Sequence, residues 1–81
     1  MSQAAKRLEQ MRSNPKKGWN IQDIKVVCDG HGVELRSPTS GSHYKVRHIS
    51  QRSFTIPFAR PIKPVYVRQF VAYIDAVKAQ P

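Results

Sequence analysis

The chain has 81 residues, with fourteen Lys and Arg against five Asp and Glu, a net charge of +9 and a single cysteine. That length fits one domain; the lone cysteine excludes an internal disulfide, and no cluster of Cys and His suggests a structural zinc site. No apolar run approaches the ~20 residues of a bilayer span, and the N-terminus lacks the apolar stretch of a signal peptide, so a cytoplasmic, reducing location is expected.

A pI near 10.3 on so short a chain points to an anionic partner, with nucleic acid favoured. A membrane-surface helix would need a broad apolar face beside its basic one, and the basic N-terminal stretch is poor in large apolar residues. A domain of this size buries only about 60% of its unfolded surface, so its core must come from packing or be shared with a partner.

In chain order, residues 2–13 set Ala4, Ala5, Leu8 and Met11 near helical spacing among charges, which predicts a short, weakly apolar and loosely packed helix. Ser13-Asn14-Pro15 ends it, because the residue before proline avoids the helical region. Lys6, Arg7, Arg12, Lys16 and Lys17 crowd this segment, either as a nucleic-acid arm or as a solvated extension. Residues 1–18 therefore read as a basic extension and 19–81 as the domain proper.

Asn20 is a strong N-cap and Asp23 favours the positive end of the helix that follows. Trp19 and Ile24 occupy hydrophobic-staple positions. Ile21, Ile24, Val27 and Cys28 form the apolar stripe, with Cys28 a buried thiol, and Gly32 fits the C′ stop. His31 sits where a protonated imidazole would meet the helix C-terminus favourably.

Three strands follow. Val33 and Leu35 alternate with Glu34 and Arg36; residues 37–41 are a turn by composition. His43 to His48 is the second strand, Ser50-Gln51-Arg52 the next turn, and Phe54, Ile56 and Phe58 the inward positions of the third. Pro57 places that strand at an edge or at its end. Pro64 suits the first turn of a last helix, in which Tyr66, Val67, Phe70, Val71, Tyr73, Ile74 and Val77 make a broad apolar face while Arg68, Gln69, Asp75 and Lys78 face water. The expectation is an α+β, two-layer α-β-β-β-α domain resembling double-stranded-RNA-binding domains, with an extra weak N-terminal helix.

The period of two along a strand sorts the chemistry. His43, Lys45 and Arg47 share one face with Arg36, Ser53 and Thr55; Tyr44, Val46 and His48 share the other. The carboxylates Glu9, Asp23, Asp29, Glu34 and Asp75 are scattered, unlike the converging set of a metal-dependent nuclease, and Ser42-His43 are adjacent on a strand, so their side chains diverge. What remains is acid–base work on RNA, whose 2′-hydroxyl is its own nucleophile: a histidine moves the proton and cations hold the phosphate. His48, on the opposite side, could serve as a second proton carrier only with local twisting.

Gly41-Ser42-His43-Tyr44-Lys45-Val46, then Phe54-Thr55-Ile56-Pro57, then Ile62-Lys63-Pro64-Val65-Tyr66-Val67-Arg68 resemble a HicA-type toxin over roughly residues 19 to 77. The resemblance implies a toxin of a type II toxin–antitoxin pair, a double-stranded-RNA-binding-domain-like fold, ribosome-independent mRNA cleavage without metal or other cofactor, and a HicB-type antitoxin that masks the histidine of Gly-Ser-His, here His43. The expected site is His43 as acid or base, with Lys45, Arg47, Arg36, Ser42 and Gly41 contacting RNA. Two features depart from the family's pattern: the leading segment 1–18, and Phe58 where many members carry histidine. A non-catalytic RNA-binding module and a protein-interaction subunit stand as alternatives.

Overall fold

A computed structural model of the chain describes residues 3–38, 43–57 and 61–79. Its elements are α1 (Gln3–Ser13), α2 (Ile21–Gly30), β1 (Glu34–Arg36), β2 (His43–His48), β3 (Gln51–Pro57) and α3 (Pro64–Lys78). The strands form one antiparallel sheet in the order β1-β2-β3, so β3 is an edge strand, where a terminal proline is tolerated. The architecture is α+β, with α2 packed against β1 and α3 against β3.

The start of α2 is a complete capping box. Asn20 Oδ1 accepts from the Gln22 and Asp23 N–H groups at 2.9 and 3.3 Å, and Asp23 Oδ2 accepts from Asn20 N–H at 3.1 Å. Two donors left over by the helix start are satisfied reciprocally. The helix ends at Gly32, whose φ of +68° is the left-handed conformation that glycine adopts freely. The Val33 N–H then reaches back to Cys28 O at 3.0 Å, the long-range bond of a Schellman stop. Val33 thereby enters the core and the chain is aimed into β1.

The first helix packs tightly, contrary to the expectation. Ala4, Leu8 and Met11 are buried, and Leu8 and Met11 belong to the same core cluster as Ile24, Val27, Val46, Ile56, Phe70 and Ile74. Its arginines clamp it down. Arg7 Nη1 lies 2.8 Å from Asp23 Oδ1 on α2, and Arg12 donates to both oxygens of Asp75 on α3 at 2.5 and 2.8 Å. Asp75, expected in water, is half-buried in that pairing; the Arg12 guanidinium holds its carboxyl below the usual range. Ala4 abuts Gly30 so closely that a Cβ added there would lie 2.1 Å from the Ala4 Cβ. The helices meet where side chains are smallest, which sequence periodicity within α1 alone does not show.

The turn between β2 and β3 is tighter than expected. His48 pairs with Gln51, leaving only Ile49 and Ser50 in the loop, so Gln51 and Arg52 belong to the strand. No described residue other than glycine has a positive φ, so this loop lacks the left-handed residues of favoured two-residue hairpins. A β-bulge follows at once: Val46 pairs with Phe54 and His48 with Gln51, so Arg47 alone faces both Arg52 and Ser53. The bulge turns Gln51 inward, and its Nε2 donates to Tyr73 O on α3 at 2.7 Å.

Candidate functional site

The sheet face turned away from the helices is polar. Cross-strand register builds it in rows: Arg36 beside Lys45 beside Thr55, Glu34 beside Arg47, and His43 beside Pro57. His43, Lys45 and Arg47 are all exposed and lie on the central strand. The structure therefore brings together the histidine and both cations that the alternation assigned to one face. Four residue steps separate His43 from Arg47, a span of roughly 13 Å along the strand. Gly41 and Ser42, the other expected RNA-contacting residues, lie outside the described residues, as does Phe58.

Arg36 is on this face, but its Nε donates to the Glu34 carboxylate. Of the five acidic residues, Glu34 alone lies in a strand. The bond from Arg36 holds its pKa down, with Arg47 adding to the effect, so the carboxylate keeps its charge and opposes any anion approaching the β1 side. A groove on that side is lined by Gly32, Glu34, Arg36, Arg47, His48 and Ile49. Among the described residues, Lys45, Arg47 and Arg52 make no ion pair. The free cations are thus on β2 and β3, and β1 is internally neutralised.

The remaining histidines are engaged locally. His48 Nδ1 accepts from Ser50 N–H at 3.1 Å and meets Ser50 Oγ at 2.6 Å, which ties the ring to the turn. His31 Nδ1–H donates to Val27 O at 2.7 Å at the end of α2. His48 lies at the opposite end of β2 from His43, where it lines the groove with Glu34, Arg36 and Arg47. His43 itself is exposed and makes no hydrogen bond among the described residues. Burial pushes the Cys28 thiol up to about 12, which leaves it unreactive at neutral pH. No helix among the described residues is long and apolar enough to cross a membrane.

Two members of the site escaped sequence reasoning. Glu34 was legible as an outward residue of β1, but its role as counter-charge depends on the pairing with Arg36 and Arg47. Arg52 was read into a turn because Ser50-Gln51-Arg52 is polar throughout; only the two-residue loop and the bulge bring it opposite Arg47. Comparison of the chain with protein-family models, with curated proteins and with solved structures found no match.

Proposed function

We propose that this chain is a ribosome-independent, metal-independent endoribonuclease toxin of HicA type, acting on mRNA in the cytoplasm and neutralised by a HicB-type antitoxin. The observation that carries this reading is the exposed His43 at the head of the central strand, on one face with the free cations Lys45 and Arg47. The order of the elements from α2 to α3 is that of double-stranded-RNA-binding domains, which supports an RNA partner without fixing the activity.

In this reading the His43 imidazole takes the proton of a ribose 2′-hydroxyl. The freed oxygen attacks the adjacent phosphorus, the P–O5′ bond breaks, and the departing 5′-oxygen takes a proton from water or from the imidazolium. The products are a 2′,3′-cyclic phosphate and a 5′-hydroxyl. Lys45, two residues from His43 on the same face, holds the scissile phosphate while its charge builds, and Arg47 holds the RNA backbone further along the strand. Positioned acid–base catalysis contributes typically 10²–10⁴-fold, and fixed cations at the developing charge contribute on a similar scale. An antitoxin covering the same face would remove both at once.

Inducible expression in bacteria of the wild type and of His43→Ala tests this. Growth arrest with loss of mRNA is expected from the wild type alone. Equal arrest by the variant would remove His43 from the mechanism. Soluble wild-type protein that neither arrests growth nor degrades mRNA would favour a non-catalytic RNA-binding module. That second reading draws on the same exposed cations, Lys45, Arg47 and Arg52, which would hold a polyanion whether or not it is cut.

A further inference from the structure

We infer that Arg47, Arg52 and Ser53 form a second phosphate subsite, at the opposite end of β2 from His43, which makes the ligand of this face a single RNA strand laid along β2 and β3. This rests on the RNA-binding reading of the face and adds where the strand runs and how long it must be.

The bulge sets Arg52 and Ser53 together against Arg47, and all three are exposed. Like charges placed opposite each other across strands are destabilising; among the described residues neither arginine makes an ion pair, and Glu34, across from Arg47, is itself bonded to Arg36. An anion seated between them relieves that repulsion and gains two charge-assisted hydrogen-bonding groups, with the Ser53 hydroxyl beside them. The β1 side of Arg47 cannot serve, because Glu34 stands there. The path open to a backbone is therefore one strand wide: His43 by Pro57, Lys45 by Thr55, then Arg47 by Arg52 and Ser53. Its ends lie roughly 13 Å apart, beyond the reach of one phosphate group. A mononucleotide or dinucleotide can fill only one end; a longer strand engages both. Basic grooves that follow one backbone are the usual device for holding single strands.

Binding in a His43→Ala background, where the RNA stays intact, tests this with a dinucleotide and an octanucleotide of the same base. The octanucleotide is expected to bind at least about tenfold more tightly, since a hydrogen bond to a charged group contributes that much. Adding Arg47→Ala and Arg52→Ala should abolish most of that advantage and lower the salt dependence of octanucleotide binding by about 0.7 in log–log slope, the value for one lost phosphate contact on a single strand. Thermal stability of the combined variant should stay level or rise as the repulsion goes. An octanucleotide advantage that survives both substitutions overturns the subsite and leaves the cleavage proposal untouched, and so does an equal loss for both ligands. Length-dependent binding that needs Arg47 and Arg52, in a wild type that cuts no RNA, would sink the cleavage proposal and leave the subsite standing. No binding of either oligonucleotide overturns both.

Discussion

Glu34 shows how a single side chain sets the behaviour of a charged surface. It sits on the cationic face, takes a hydrogen bond from Arg36 and faces Arg47 across the sheet. A phosphate strand near β1 would meet its carboxylate. Glu34→Gln should therefore tighten RNA binding by several-fold, by freeing Arg36 and removing a repulsion, and the gain should fade as salt screens the face. A filter-binding titration at two ionic strengths checks this; weaker binding by the variant would mean that Glu34 helps to position the ligand. Asp75 acts on stability instead. Arg12 depresses its pKa in the folded chain, so the pairing contributes above the unfolded carboxylate value of ~3.9 and is lost as pH falls through the depressed folded value. Both side chains are about two-fifths exposed, at 42% and 40%, so the contribution belongs to the surface range of about 1 kcal/mol or less. Urea unfolding of Asp75→Asn should show that small deficit at neutral pH, and it should close as the medium approaches the acid end of the carboxylate range.

The elements differ in how far the sequence announces them. The start of α2 was legible because a capping box needs only residues three apart, and its end because Gly32 supplies a conformation that other residues avoid. The bounds of β2 and its outward His43, Lys45 and Arg47 followed from a period of two. The tight packing of α1 was not legible. Its apolar content is Ala4, Leu8 and Met11 with little else, and the partners that hold it, Gly30, Asp23 and Asp75, lie far along the chain. The bulge was hidden for the same reason: it exists only as a mismatch between two strands, and with it went the place of Arg52. Leu8 is 1% exposed within the core cluster, so Leu8→Ala should cost about 2–5 kcal/mol in chemical denaturation. A cost under roughly 0.5 kcal/mol, the range of surface substitutions, would return α1 to the role of a loose extension.

At the scale of the whole molecule, the charge of +9 divides into two kinds. Arg7 and Arg12 join α1 to α2 and α3, and Lys17 lies over the Trp19 ring at 4.9 Å; these cations work within the fold. Lys45, Arg47 and Arg52 face outward on the sheet with no ion pair among the described residues, and they carry the case for a polyanionic partner. A small domain thus keeps its helices on one side of the sheet, held by apolar packing and inter-helix ion pairs, and exposes His43 and these cations on the other, the face proposed to take a strand of RNA. The most direct test of that account uses purified protein in chelator with two oligonucleotides, one all ribose and one with every ribose replaced by 2′-deoxyribose, each with wild type and with His43→Ala. The account predicts cuts in the all-ribose strand by the wild type alone, leaving a 2′,3′-cyclic phosphate. Cleavage of the deoxy strand, or of the ribose strand by His43→Ala at the wild-type rate, would contradict it.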